Sequence, residues 1–106
     1  MTNKLEIYHR IDELLHECED DDTLTSDLVI FSETVKEMLV DIASSTEYDT
    51  LIGMTEDYGF YVKWETTTGK VIAVIYEHKT FISNRKVNTT VKTDVNLALI
   101  LKLMIK

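Results

Sequence analysis

The spacing of apolar residues changes once along this chain, close to Ser44. Before that point apolar side chains recur every three or four positions, which is the repeat of one face of an α-helix. After it they alternate with polar side chains, which is the repeat of a half-buried β-strand. A chain that places its helices first and its strands afterwards is typical of the α+β class, in which helices cover one face of an antiparallel sheet.

Two apolar stripes with helical spacing predict an N-terminal helical hairpin. The first predicts a helix over residues 4–19, and Asn3 followed by Glu6 resembles a capping box. The second predicts a helix over residues 27–44, after three polar residues of which any could be the cap. The two stripes are Ile7, Ile11, Leu14, Leu15 and Cys18, and then Leu28, Phe31, Val35, Met38, Leu39 and Ile42.

The second half of the chain predicts an antiparallel meander of three to five strands. The alternation in residues 60–66 puts Phe60 and Trp64 on the buried face and Tyr61 on the open face, together with Lys63. The segment 71–78 begins apolar on both faces and is predicted to be the central strand. The other predicted strands cover residues 51–56 and 80–84, with a weaker one at 87–92.

The C-terminal segment is compatible with either a helix or a strand. Its leucines alternate as a strand would, but Leu, Ala, Lys and Met favour helices and Thr93-Asp94 is a good helix start, so we predict a helix over residues 94–105. A segment with so few polar residues has to be covered, either by the core or by another subunit. With 106 residues and 44% apolar content, the chain is expected to form a single α+β domain over 1–106.

Charge is distributed unevenly along the chain. Residues 1–57 hold sixteen acids and three bases, whereas residues 58–106 hold three acids and eight bases. An acidic half of this kind repels nucleic-acid phosphates and attracts basic surfaces. The basic half carries too little charge to indicate a nucleic-acid-binding footprint by itself.

The densest acidic run, residues 16–27, joins the two predicted helices. The outer face of the second helix carries three acids at spacings of four, and such a ladder destabilises a helix by a few tenths of a kcal/mol per pair. If the helices pack as an antiparallel hairpin, these acids and the run form one continuous negative face. The candidate partner-binding residues are Glu13, Glu17, Asp20, Asp21, Asp22, Glu33, Glu37 and Asp41. Tyr48 and Tyr58 are candidate anchors.

Metal sites fit the sequence poorly. A calcium loop starting at Asp20 would place Thr25 where the turn needs Gly and Phe31 where a bidentate Glu is needed. A helical site built on His9, Glu13 and His16 would need matching ligands on another helix, and the second helix has no His. We therefore expect no metal and no cofactor.

Catalytic motifs are equally weak. Cys18 lies in the apolar stripe among acids, which favours an inert thiol over a nucleophile. His78 is expected in a turn at a strand end, and residues 66–70, Thr-Thr-Thr-Gly-Lys, lie between two strands and so indicate a hairpin, not a phosphate loop. We expect no catalytic residue and no enzymatic activity.

The sequence therefore predicts a non-catalytic inhibitor or adaptor that occupies a basic, nucleic-acid-binding surface of a host or cognate protein. In charge design alone it resembles small acidic proteins that imitate DNA or inhibit toxins and nucleases, many of them encoded by phages and mobile elements. The single cysteine, with no leader-like or membrane-spanning segment, predicts a soluble cytoplasmic protein without membrane contact.

Two alternatives stay open. One is a structural homo-oligomer, such as a homodimer, assembled through the apolar C-terminal segment. The other is a small nucleic-acid- or nucleotide-binding domain that uses a basic aromatic sheet face, although direct nucleic-acid binding is disfavoured by the net charge of −8. The residues of that face would be Tyr58, Phe60, Tyr61 and Trp64, with Lys63, Lys70, Lys79, Arg85, Lys86 and Lys92 holding phosphates.

Overall fold

A computed structural model describes residues 2–20 and 22–105 and confirms the α+β class. Three helices accompany one five-stranded antiparallel sheet, and the C-terminal segment is helical, as predicted. The elements are α1 (Lys4–Asp20), α2 (Ser26–Ala43), β1 (Leu51–Met54), β2 (Phe60–Thr66), β3 (Gly69–Ile75), β4 (Lys79–Ser83), β5 (Asn88–Lys92) and α3 (Leu97–Ile105).

The sheet is a simple meander in which each strand pairs with the next one along the chain. β3 lies at the centre, as its apolar character predicts, and β1 and β5 are the edges. Thr66 pairs with Gly69 across a two-residue turn, and Gly69 has a φ of 136°, which favours glycine. Residues 66–70 are therefore a hairpin, as expected from their position between two strands.

All three helices pack on one face of the sheet. Arg10 of α1 donates a hydrogen bond from Nε to the carbonyl oxygen of Ile52 in β1, at 2.9 Å. α2 lies between α1 and α3 and contacts both. Phe60 and Trp64 are fully buried beneath these helices, and Trp64 Nε1 donates to Thr50 Oγ1 at 3.0 Å. The core therefore fills the space between the helices and the inner face of the sheet.

Side-chain caps fix where the first two helices begin. Asn3 Oδ1 accepts a hydrogen bond from the backbone N–H of Glu6 at 2.9 Å, as the predicted capping box requires. Among the three candidate caps of α2, the structure selects Thr25, whose Oγ1 accepts from the N–H of Leu28 at 3.1 Å. The predicted and observed starts of α1 and α2 agree to within one residue.

Two strands end earlier than predicted because turns take residues assigned to them. β1 ends at Met54, not at residue 56, because Thr55 starts a turn in which the N–H of Tyr58 donates to the Thr55 carbonyl at 3.0 Å. β3 ends at Ile75 instead of residue 78, because the N–H of Tyr76 donates to the Lys79 carbonyl at 2.9 Å and closes the next turn. It begins at Gly69, two residues before the predicted start, because Lys70 and Gly69 pair with β2.

α3 begins at Leu97 instead of residue 94. The Asp94 carboxylate accepts from the N–H of Asn96 at 2.9 Å, so a capping turn precedes the helix. One face of α3 is buried in the core, whereas Leu99 and Leu103 on the other face are 57% and 60% exposed. Within the described parts of the chain, every helix is too short or too polar to cross a bilayer.

Candidate functional site

The outer surface of α1 and α2, called here the helical layer, is strongly acidic. The two helices carry ten acids and three bases, and all ten acidic side chains are exposed. One of the bases, Lys36, is buried and does not contribute a positive charge to the outer surface. The charged groups that a partner meets on this side of the molecule are therefore mostly carboxylates.

The Lys36 side chain lies beneath the acids of the helical layer and forms ion pairs with both helices. Its Nζ lies 2.7 Å from Asp12 of α1 and 3.1 Å from Glu33 of α2, and 5.3 Å from the centre of the Tyr8 ring. Burial alone would lower the pKa of Lys36, but the hydrogen bonds and negative charges of Asp12 and Glu33 outweigh it and raise that pKa above its usual value of 10.5. Lys36 is therefore charged and neutralises part of the layer from inside.

The ladder on α2 is partly compensated in the same way. Glu33 pairs with Lys36, and Asp41 accepts from Lys102 of α3 at 2.8 Å. Glu37, between them, has no cation within ion-pair distance among the described residues. Because the first and last acids of the ladder are paired with lysines, α2 tolerates three acids at spacings of four. Glu37 is the acid of the ladder whose charge is not neutralised.

The acids of α1 are divided between two sides of the helix. Asp12 points toward α2, where it meets Lys36, whereas Arg10 points toward β1. Glu13 and Glu17 follow Arg10 by three and seven residues, so they share its side of the helix and point away from α2. The predicted residues therefore wrap around the helical layer instead of forming one flat face.

The connection between α1 and α2 lies at one end of the molecule, called here the acidic end. Asp20 and Asp22 are exposed there, and Asp22 has a positive φ of 57°. Asp21, also a predicted site residue, lies outside the described residues. Cys18 Sγ is 3.4 Å from Met54 Sδ, which brings the C-terminus of α1 beside the β1–β2 turn.

That contact adds acids to the site that the sequence analysis did not include. In an antiparallel meander the β1–β2 and β3–β4 turns lie at the same end of the sheet, so Glu56 and Asp57 lie with Glu77 at the acidic end. Tyr76 Oη donates to Asp57 Oδ1 at 2.7 Å, which confirms that the two turns touch. The sequence carried part of this signal, because Asp57 falls in a predicted turn, whereas Glu77 was assigned to the predicted strand 71–78.

Asp57 is held in its charged form. Hydrogen bonds from the hydroxyls of Thr55 and then Tyr76 lower the pKa of the Asp57 carboxyl below its usual value of 3.8. The same contact with Asp57 raises the pKa of Tyr76. The β1–β2 turn is therefore a fixed negative group and not a titrating one near neutral pH.

The two candidate anchors have different surroundings. The Tyr48 hydroxyl donates to Thr67 Oγ1 at 3.4 Å and accepts from the Thr67 N–H at 3.3 Å, so its polar end is already engaged. Tyr58 is 40% exposed at the tip of the β1–β2 turn, with a φ of 66°. Tyr58 thus lies at the acidic end and is the better placed anchor.

The groups considered for metal or covalent chemistry do not assemble. His9 lies 3.5 Å from Glu13 and His16 lies 3.7 Å from Glu19, as separate pairs on α1. Among residues 2–20 and 22–105, no three His, Cys, Asp or Glu side chains are placed to hold a metal ion. Cys18 is buried against Met54.

The other side of the sheet, which none of the described helices covers, is called here the open face. Tyr61 and Lys63 lie on it as predicted, but Phe60 and Trp64 are fully buried in the core. The idea that Phe60 and Trp64 stack bases is therefore wrong. Tyr76 and Phe81, which the sequence analysis did not single out, supply the other aromatic rings of this face.

No family model matches the chain, and no curated protein or solved structure matches it either. Its function has to be inferred from its own surfaces.

Proposed function

We propose that the chain is a non-catalytic protein-binding module that acts in the cytosol as an inhibitor or adaptor. In this proposal its helical layer and acidic end occupy a basic, nucleic-acid-binding surface of a host or cognate protein, in the manner of DNA-mimic, immunity or phage anti-defence proteins. The observation that supports it best is the exposure of all ten acids of α1 and α2, while Lys36 is buried beneath them.

The acids without an internal cation are the ones expected to contribute most to binding. Among the described residues, Glu17, Asp20, Asp22 and Glu37 have no Lys or Arg within ion-pair distance. Their charges are free to attract a partner and to compete with the phosphates that its basic surface normally binds. Acids already paired with Lys36 or Lys102 contribute less, because part of their field is cancelled.

Two exposed apolar side chains on the same helices supply contact area for such a partner. Leu5 is 78% exposed on α1 and Ile30 is 67% exposed on α2. Charge alone gives fast association but little affinity, whereas a buried apolar or aromatic anchor lowers the dissociation rate. Leu5, Ile30 and Tyr58 are therefore the proposed anchors within the acidic surface.

The test starts from a partner captured with tagged protein from nuclease-treated lysate of the source organism and then purified. The triple variant Glu17→Lys, Asp20→Lys and Glu37→Lys should slow its association by roughly tenfold or more and weaken the salt dependence of the rate. Biolayer interferometry at several salt concentrations measures both effects.

A second variant controls for net charge. Glu47→Lys, Glu65→Lys, Asn88→Lys and Thr90→Lys together change the net charge by the same amount as the triple variant, but outside the helical layer. This control should bind within about twofold of the wild type. Equal loss of binding in both variants, or unchanged binding by the triple variant, would contradict the proposal.

A second candidate function is a homo-oligomer, and it rests on a different observation. Leu99 and Leu103 are four residues apart on α3 and are 57% and 60% exposed, so they form an apolar ridge along it, and Val95 in the preceding turn is 94% exposed. Because α3 also contributes Leu97 and Leu101 to the core, deleting it would unfold the domain.

Point substitutions test this candidate without that problem. Leu99→Glu with Leu103→Glu changes only the exposed ridge. If the ridge is a subunit interface, light scattering should show a dimer or larger assembly for the wild type and a monomer for the variant. A monomeric wild type at high micromolar concentration would remove this candidate.

A further inference from the structure

The open face carries more apolar surface than an uncovered antiparallel face usually does, since such faces are normally polar. Two neighbouring rows of cross-strand partners form its centre. The rows are Leu51, Lys63, Ile72, Ser83 and Asn88, and then Gly53, Tyr61, Val74, Phe81 and Thr90. A groove of about 580 Å³ lies over β3, β4 and β5 between these side chains.

Two tyrosine rings of this face lie over glycines. Gly53 is the cross-strand partner of Tyr61, and a Cβ on it would be 3.9 Å from the ring. A Cβ on Gly59 would be only 2.7 Å from the ring of Tyr76, so that ring requires glycine at this position. One of the three glycines in the chain, Gly59, therefore makes room for a ring of the open face, whereas a Cβ on Gly53 would be in ordinary contact with Tyr61.

The ring of Tyr76 is fixed from two further directions. Its hydroxyl donates to Asp57 at 2.7 Å, and its ring meets Phe81 edge to face, with centroids 5.9 Å apart and planes at 85°. Phe81 is 41% exposed. These aromatic side chains are thus pre-positioned on the surface, which lowers the conformational entropy lost when a flat ligand binds.

All four lysines of the strands also point to the open face. Lys79 and Lys92 are cross-strand partners, and no acid of the described residues lies within ion-pair distance of either. Like charges directly opposite each other destabilise a sheet. Glu65 lies 3.5 Å from Lys63 and 4.0 Å from Lys70, and is the single acid among the strand residues.

Cations also gather at the other end of the groove. Arg85 and Lys86, in the β4–β5 turn, line a separate recess together with Lys70, and this recess also reaches Met104 of α3. The groove over β3, β4 and β5 is lined by Phe81, by the apolar side chains Ile72 and Val74, and by polar side chains of β4 and β5. Lys79 and Lys92 lie just beyond one end of it, and the β4–β5 turn with its two cations lies beyond the other.

The acids of the helical layer lie beyond the helices on the far side of the sheet, and salt screens charges over about 8 Å. Glu77 of the acidic end is nearer, because it precedes Lys79 by two residues and lies at the same end of the sheet as Lys79 and Lys92.

We propose that the open face binds single-stranded nucleic acid, with bases against Tyr61 and Phe81 and phosphates at the two cationic ends. Stacking on aromatic rings with cations alongside is the chemistry by which proteins bind unpaired strands. An acidic peptide would form ion pairs with the lysines but would leave the aromatic rings without a stacking partner. A second copy of the open face would bring lysines against lysines, so charge argues against that occupant.

The test measures fluorescence anisotropy of labelled oligo(dT) and oligo(U) of about twelve nucleotides, with a duplex of the same length as comparison, at about 50 mM and about 200 mM salt. The wild type should bind the single strands, at least tenfold tighter than the duplex, and more weakly at the higher salt concentration. Unlabelled polyglutamate serves as a competitor.

Two variants and two matched controls locate the site. Phe81→Ala should weaken binding roughly 5- to 150-fold, the range expected for loss of one stacked base. Lys79→Gln with Lys92→Gln should weaken it and reduce the slope of log affinity against log salt concentration by about 1.4. Leu103→Ala and Lys4→Gln, outside the open face, should bind like the wild type, and circular dichroism verifies that all variants fold.

Several results would overturn the proposal. The proposal is wrong if neither single strand binds at about 50 mM salt. It is also wrong if Phe81→Ala binds the single strands as tightly as the wild type does. Displacement of the strand by polyglutamate at equal charge concentration would identify the open face as a surface for acidic proteins instead. None of these results depends on whether the helical layer binds a basic partner.

Discussion

The two sides of the sheet are built from alternate residues of the same strands, yet they differ in composition and in charge. In β2, Phe60, Val62 and Trp64 face the helices and are fully buried, whereas Tyr61 and Lys63 between them face outward. Because the strand repeat is two residues, one short segment specifies both the core and a surface. The alternation is therefore as informative about the open face as about the core.

Charge follows the same division. On the inner side of the sheet, α1 and α2 together carry ten acids and three bases. The strands carry four lysines and one glutamate, and all five of these side chains lie on the open face. The net charge of −8 hides this separation. A protein of this design offers an acidic surface and a basic one on opposite sides, so its net charge alone does not exclude either kind of partner.

The largest effect should come from the inner side of β2. Trp64→Ala removes a fully buried indole whose Nε1 donates to Thr50, and should lower the free energy of unfolding by about 3–5 kcal/mol. Tyr61→Ala, on the open face of the same strand, should lower it by less than about 1.5 kcal/mol. Urea unfolding measures both values. Equal losses would show that the two sides are packed alike.

The next largest effect concerns Gly59, which lies under the ring of Tyr76 on the open face. Gly59→Ala places a Cβ 2.7 Å from the ring of Tyr76. Because the hydrogen bond from the Tyr76 hydroxyl to Asp57 holds this ring in place, the substitution should destabilise the fold by about 1–3 kcal/mol. Gly53→Ala is the matched control, because its Cβ would lie 3.9 Å from Tyr61 in ordinary contact. A Gly59→Ala protein as stable as the control would mean that the Tyr76 ring is mobile.

Much of the fold could be predicted because it depends on local patterns. The apolar stripes predicted α1 and α2, and the alternation of apolar and polar residues predicted β2. The Asn3 cap predicted where α1 begins. The ends of β1 and β3 were wrong by two and three residues, since hydrogen bonds of the turn at Thr55 and the turn at Tyr76 decide where pairing stops. Such turn contacts leave little periodic signal.

The candidate site was less predictable because it depends on contacts between distant segments. The pairing of Asp41 with Lys102 joins two helices far apart in sequence, and the burial of Lys36 depends on how α1 and α2 pack. Neither follows from spacing along one helix. The contribution of Glu77 to the acidic end follows from the meander topology, which the sequence predicts, but only once the turns are placed at their ends of the sheet.

A smaller effect is expected from the cation inside the helical layer. Lys36→Met keeps the aliphatic packing and leaves Asp12 and Glu33 hydrated, since both are 60% exposed, so it should lower the free energy of unfolding by about 1 kcal/mol at neutral pH. The folded-state pKa of Lys36 is raised, so its contribution is complete below the unfolded pKa of about 10.4 and is lost as pH rises through the folded pKa.

The difference between wild type and Lys36→Met should therefore be unchanged between about pH 8 and about pH 10, and should shrink as the pH rises above about 10.4 in urea unfolding. Lys4→Met, which removes an exposed lysine of the same helix, is the control and should show no such change. A difference that stays constant through this rise in pH would show that Lys36 stabilises the helical layer by packing and not by charge.

The smallest effect tests whether the open face and the acidic end are coupled through Asp57. Its pKa is depressed by Thr55 and Tyr76, so the stability that it contributes is present above the unfolded pKa of about 3.9 and is lost as pH falls through the lower folded pKa. Tyr76→Phe should shift the Asp57 pKa upward, toward 3.8, in an NMR titration of the carboxyl carbon, whereas Tyr58→Phe should not. Because Asp57 is exposed, the accompanying change in stability should be small, and the shift in pKa is the decisive readout. An unchanged Asp57 pKa in Tyr76→Phe would show that the two surfaces are not coupled, and the depressed pKa of Asp57 would then be due to Thr55.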